Sequence, residues 1–288
     1  MTALRAELDE LLAEVPAPCV VGLESTLFTA WVYDHLTAKG ISVKVAHPAM
    51  LKAIFAGKRK NDEIDARKLA DLLRCNYFPE CHVASREIRD RRRVLRYRNV
   101  LVRQSTQTKN KMAAMPEGLP GLLRLGRNVI EVLRGMNRNL VRILENDSVL
   151  AARVTRLMSI PGVGIILALT WALEIGDVGR FASQKAAISY CGLCGAEQSS
   201  AGKLQRTPIS KQRNKHLHTT LIEAAKVAPR WHPEFALLYD QQKQKGNNNR
   251  ATLAIARKLV SYLLAVDRGD RLFLPRPPSS SQVQPGGG

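Results

Sequence analysis

Leu4, Leu8, Leu11 and Val15 recur at helical spacing, so the first segment, residues 2–15, is expected to be an amphipathic helix. "PCVVGL" (18–23) follows as a short unbroken apolar run, the pattern of a strand covered on both faces. "TLFTAWVYDHLTAKG" returns to a helical period and ends at Gly40, a natural C-terminal cap. "ISVKVA" (41–46) is then a second strand. Strand, helix and strand joined by short loops form a βαβ unit, whose strands run parallel with a right-handed crossover. Pro48 opens a further short helix, and Asn61 or Asp62 caps the helix of "KNDEIDARKLADLL".

The pattern changes at Arg86. "REIRDRRRVLRYRNVLVRQSTQTKNK" carries ten Lys or Arg against two acids on one long helix. After "MPEGLPG", a near-heptad stripe runs through Leu122, Leu125, Val129, Val132, Met136, Leu140 and Ile143. It fits a coiled-coil arm useful for dimerisation or, equally, a plain packed helix pair. From "SIPGVG" to about Asp267 the chain reads as wholly helical, and "PRPPSSSQVQPGGG" reads as a disordered tail. The expected organisation is an α/β part over 1–84, long basic helices over 85–157, an all-α domain over 158–268 and a tail over 269–288. The chain is mostly helical overall.

Charge adds a partner to this outline. Across 288 residues, 44 Lys and Arg face 25 Asp and Glu, a net charge of +19. Clustered positive charge of this size suits a polyanion, most simply nucleic acid. Five cysteines, an odd number, fit a reducing cytoplasm better than a disulfide framework. No apolar run has the length of a membrane span, and the acids of the first helix do not fit a signal peptide.

Against this basic background, three acids stand out. Glu24 closes the first strand, where open α/β sheets gather their functional groups. Asp62 and Asp65, three residues apart, share a helix face with Leu69, which aims them inward above the apolar stripe. Inward carboxylates need a partner, and a divalent metal such as Mg²⁺ is an economical one. The plainer reading is that acids in a first turn favour the helix dipole.

In the second half, Gly162 and Gly164 mark a tight turn between helices that lets backbone N–H groups approach a phosphate. Pro-Gly-x-Gly is also an ordinary turn. Ser199 and Ser200 lie in a small-residue loop followed by Lys203, Arg206, Lys211, Arg213 and Lys215. A serine hydroxyl can attack a phosphodiester, and the cations would steady the charge that develops. The basic helix around Arg92, Arg93 and Arg96 is a further nucleic-acid candidate. "CGLC" (191–194) has no second Cys or His pair to complete a zinc site, so packing cysteines are expected there. His216 and His218 are two apart and do not share a helix face.

Together these strings resemble the DEDD transposases of the insertion-sequence-110 type. The C-terminal run "YCGLCGAEQSSAGK…RTPISKQRNKHL…LIEAAKVAPRW…NRATLAIARKLVSYLLAVDR" carries the resemblance most specifically, with "LEST" and "KNDEIDA" in support. It extends from about Ala17 to Asp267.

The resemblance implies a RuvC-like (ribonuclease H fold) N-terminal domain holding metal through four acids. It also implies a C-terminal domain whose serine forms a covalent phosphoserine link to DNA, and a structured guide RNA. The family's Glu falls on Glu24 and its last two acids on Asp62 and Asp65. The nucleophile falls in "QSSAGK": Ala201 stands where relatives usually carry Gly, which favours Ser200 and keeps Ser199 in reserve.

The family's first Asp stands on an opening strand that this sequence does not contain. The expectation is therefore a truncated RuvC-like half of reduced stability. Two functions follow: a DNA transposase, or a nucleic-acid-binding remnant of one. A junction resolvase is the poorer third, because it leaves the serine loop unexplained. A homo-oligomer (dimer or tetramer) and a bacterial cytoplasmic, nucleoid-associated location complete the expectation.

Overall fold

The computed structural model describes residues 2–54, 61–116, 119–200, 203–209 and 213–274, with backbone alone at residues 2, 3, 53, 196–200 and 203–208. The chain divides into two compact units, residues 1–86 and 87–288.

The first unit begins with α1 (Thr2–Ala13), then β1 (Val20–Glu24), α2 (Thr29–Ala38), β2 (Ser42–Ala46), α3 (Pro48–Ile54) and α4 (Asp62–Arg74). β1 and β2 pair in parallel, with Val20 opposite Ser42 and Glu24 opposite Ala46, as the βαβ pattern requires. Lys39 ends α2, and Gly40 takes the positive φ of +79° that completes the cap. Asn61 is the N-cap of α4; its Oδ1 accepts from the Glu63 N–H at 3.1 Å. α1 is tied to α2 by Asp9, whose carboxylate lies 2.7 Å from both His35 Nε2 and Lys39 Nζ. The buried apolar side chains of this unit, among the described residues, are Leu36, Val45, Ala46, Leu51 and Ala84, so its core is small.

The second unit is built from long helices. α5 (Arg86–Ala113, entering from the last residue of the first unit) and α6 (Pro120–Glu145) precede α7 (Ala151–Met158), α8 (Ile165–Ile175) and α9 (Gln184–Tyr190). A β-hairpin follows, β3 (Gly195–Ser200) with β4 (Lys203–Ile209). The chain then forms α10 (Lys215–Val227), α11 (Pro233–Gln244) and α12 (Asn248–Gly269). The hairpin corrects the expectation of an all-α domain over 158–268. "GAEQSSAGKLQRTPI" has no apolar alternation, so its pairing rests on backbone hydrogen bonds that the pattern of side chains does not announce. The mostly helical character of the whole holds.

α8 is the axis of the second unit. Every residue from Leu167 to Ile175 is buried, as a helix apolar on all sides demands. α7, α10 and α12 pack around it or one another, and a single core runs from Leu95 to Val266. Asp267 on α12 is pinned inside by Arg153, which donates to both its oxygens at 2.8 and 2.7 Å, and by Trp171 Nε1 at 2.8 Å. A nearly buried carboxylate is tolerable because these partners satisfy it. Helix α6 and all of α5 after Arg86 fall within this unit. The disordered tail expected at 269–288 falls, from residue 275 on, outside the described residues.

Candidate nucleic-acid interface

The three candidate metal acids lie in the first unit. Glu24 ends β1 at the carboxyl edge of the sheet, as expected, and its carbonyl accepts from Thr29 Oγ1 at 2.7 Å. Its side chain is exposed, and so is that of Asp62. Asp65 is 40 % exposed and faces Lys68 Nζ at 3.7 Å.

The inward aim expected of Asp62 and Asp65 divides between them: Asp62 is exposed, while Asp65 is half-buried, as Leu69, Leu72 and Leu73 are. α4 has no buried residue, and its half-buried face is carried by Leu69, Leu72 and Leu73, with Leu73 against Gly22 of β1. The helical period places both acids on the stripe of Leu69, and no part of that stripe is fully buried. Among the described residues no group of three His, Cys, Asp or Glu lies together, so Glu24, Asp62 and Asp65 do not form a metal cage in this arrangement.

The second unit brings cations together. Between α5 and α10 runs a groove of about 800 Å³. Arg93, Arg96 and Arg103 line it from α5, and Lys215 and His216 from the first turn of α10. Tyr97, Val100, Val102 and Ile166 supply its aromatic and apolar surface. α10 starts where it does because Asn214 caps it: Oδ1 accepts from the His216 and Leu217 N–H groups at 3.0 and 3.1 Å.

The same Asn214 reaches inward, donating from Nδ2 to Glu174 Oε2 at 2.9 Å. Glu174, 1 % exposed on α8, also receives Arg96 Nε on Oε1 and an Arg96 terminal nitrogen on Oε2, both at 2.9 Å. Arg92 donates twice to the Leu173 carbonyl, at 2.9 and 2.7 Å, and sits 3.7 Å from Glu174.

Burial alone would raise the Glu174 carboxyl. Hydrogen bonds from Arg96 and Asn214, with the charges of Arg96 and Arg92, outweigh it and hold the group below its ordinary value. His216 titrates below the usual imidazole range. Its burial is the first cause and the positive charge of Arg96, Lys215 and Arg103 adds to it, while Glu174 opposes.

The sequence-based candidates now sort by position. Arg92 and Arg96 are committed to the protein interior, Arg96 keeping 46 % exposure and reaching the groove. Arg93 is 72 % exposed beside Asp90 at the groove, and Arg213 is exposed just ahead of α10. Lys211 lies outside the described residues.

Ser199 and Ser200 end strand β3 rather than sitting in an irregular loop. Ser200 is in register with Lys203 and Ser199 with Leu204, while Arg206 pairs with Glu197.

Gly162 has a φ of +81°, and a Cβ there would stand 2.8 Å from Ala228 Cβ, which gives the turn a packing reason of its own. Gly164 is the N-cap of α8 and has open space around it. Cys191 is fully buried and its thiol is pushed up to about 12 by that burial, the behaviour of a packing cysteine.

Sequence reading missed Glu174, Asn214, Tyr97 and Arg103. One signal was available for the first: a lone acid in the apolar run "IILALTWALEI".

Comparison with known proteins agrees with this picture at both ends of the chain. The family model described as transposase of the DEDD type and insertion-sequence-110 group matches residues 1–118, and that of the Transposase IS116/IS110/IS902 family matches residues 154–240. The transposase for insertion sequence element IS1328 of Yersinia enterocolitica is 26 % identical over 253 residues, covering 77 % of this chain and 74 % of that protein. The transposase for insertion sequence element IS1111A of Coxiella burnetii is 24 % identical over 296 residues, covering 91 % and 81 %. A probable family 20 transposase of Pseudomonas aeruginosa is 24 % identical over 257 residues, covering 78 % and 75 %. No helix among the described residues is long and apolar enough to cross a membrane. With both family models matched in chain order and the basic groove within the second unit, this chain belongs to the IS110 family of insertion-sequence transposases.

Proposed function

We propose that the chain binds DNA through the α5–α10 groove and that its serine hairpin supplies the nucleophile for strand cleavage and rejoining. The observation that carries this reading is the groove's convergent cations, Arg93, Arg96, Arg103 and Lys215. A polyanion is the partner that such a surface suits. The hairpin supports the chemical half by its place in the chain: β4 ends at Ile209, and the groove's helix α10 starts at Lys215. In the cleavage step a serine oxygen bonds to phosphorus while the bond to one deoxyribose oxygen breaks. The DNA is then held as a phosphoserine ester, and the serine proton ends on the leaving deoxyribose hydroxyl. Neighbouring cations offset the negative charge that gathers on the phosphoryl oxygens. Rejoining is the reverse attack by a different hydroxyl. A structured RNA that selects the DNA is part of the same reading; the +19 charge leaves ample positive surface for a second polyanion.

The DEDD family implies use of a divalent metal. Glu24, Asp62 and Asp65 are the acids assigned to it, but they do not converge, and no step of the reaction is routed through them. That divergence favours a second reading, binding without cleavage. A strand-transfer assay on element-end DNA separates the two. The first reading requires a covalent protein–DNA adduct that disappears in Ser200→Ala, or in Ser199→Ala if that serine is the nucleophile. Specific binding with no adduct from the unmodified chain establishes the second.

A further inference from the structure

The groove has more apolar surface than a phosphate backbone needs. Tyr97 is 48 % exposed at its wall, and Val100, Val102 and Ile166 also line it. Its volume of about 800 Å³ falls in the range of pockets that enclose small organic groups. The cations lie along the same cleft: Arg93 and Arg103 on α5 and Lys215 on α10. A B-form duplex keeps its bases stacked and presents phosphates outward, so an apolar cleft gains nothing from it. An unpaired nucleotide offers both halves of what this cleft can recognise, a π-face for an aromatic ring and a phosphate for the cations beside it. We infer that the α5–α10 groove takes an unpaired nucleotide of a single strand, its base against Tyr97 and the apolar floor and its phosphates on Arg93, Arg103 and Lys215. This rests on the groove being the nucleic-acid interface proposed above. His216 suits the role: its imidazole, whose titration is lowered by burial and the surrounding cations, lines the groove and can hydrogen-bond a base edge.

The test uses the full chain and labelled 12-nucleotide probes: single-stranded DNA, single-stranded RNA, duplex DNA, and an abasic single strand with the same phosphates. Tyr97 is half exposed, so its replacement leaves folding intact. Stacking of a base on an aromatic ring leads us to expect Tyr97→Ala to weaken single-strand binding by roughly tenfold. Tyr97→Phe should retain it, and neither variant should alter binding of the abasic strand or the duplex. The DNA and RNA arms identify which single strand is preferred. Equal single-strand affinity in Tyr97→Ala, with Arg103→Glu weakening every probe, overturns the inference and leaves the groove as a backbone site. If Arg103→Glu also changes nothing, the groove reading falls with it.

Discussion

Arg96 on α5 grips Glu174 on the buried helix α8 through two parallel hydrogen bonds of 2.9 Å, across 78 residues of sequence. The pair joins the basic helix to the core, and Asn214 adds the N-terminus of α10 to the same carboxylate. Both walls of the groove are therefore fastened to one buried charge. Such a pair adds little stability as a whole, but breaking it leaves a charge without its partner. Glu174→Gln should cost about 3 kcal/mol in urea unfolding, the low end for a buried pair because Arg96 keeps access to water. Arg96→Ala should also cost stability, since it strands a carboxylate that is 1 % exposed. The Glu174 carboxyl titrates below its ordinary value, so its contribution is present above pH ~4.5 and is lost as pH falls through the depressed value.

The two glycines of the "PGVG" turn should separate packing from binding. Gly162→Ala meets a strained φ and Ala228 at once, and should lower stability by about 1–3 kcal/mol. Gly164→Ala has room and an extended backbone, so its stability should stay within about 0.5 kcal/mol of the parent. If the N-terminus of α8 meets a phosphate, Gly164→Ala weakens DNA binding while its melting curve is unchanged. Unaltered affinity would leave the turn with a structural role alone.

His216 gives the groove a pH dependence. Burial and the charges of Arg96, Lys215 and Arg103 depress its titration against the pull of Glu174. An anion in the groove opposes those cations and raises it, so binding takes up a proton. Affinity for nucleic acid should therefore rise severalfold as pH is lowered from 8 to 5.5, measured by anisotropy at constant salt. His216→Asn should flatten that rise. The Asn214 cap is made to the His216 backbone N–H and survives the substitution.

The stripe on α6 gives a prediction about assembly. Leu125, Val132 and Ile143 are 58–61 % exposed, and Leu122, Val129 and Met136 also face solvent. An apolar seam of this length is costly to leave in water, and a homo-oligomer is the expectation it supports. Leu125→Glu with Val132→Glu should reduce the mass measured by light scattering to that of one chain, with little effect on unfolding. A parent that is already monomeric at micromolar concentration contradicts this.

Local pattern predicted local structure well. The βαβ order, the parallel pairing, Asn61 as one of two candidate caps and the long basic helix were legible because each is written in neighbouring residues. The β3–β4 hairpin was not, because its polar strands lack an apolar face to announce the period of two. The exposure of Asp62 was hidden for another reason. A helical stripe says which residues share a face, and it says nothing about how far the supporting core extends beneath them. Glu174 with Arg96 was out of reach of any local rule, since only the folded chain brings α5 beside α8.

The groove between α5 and α10 is the nucleic-acid surface proposed for this chain. Its measurement is the salt dependence of DNA binding for the unmodified chain and for the triple variant Arg93→Gln, Arg103→Gln and Lys215→Gln. Removing a cation that neutralises one phosphate lowers the slope of log affinity against log salt by about 0.9 for duplex DNA and about 0.7 for a single strand. A decrease of roughly two to three units, with the melting temperature unchanged, is the predicted result. An unchanged slope in a folded triple variant would contradict the account and move the interface elsewhere on the molecule.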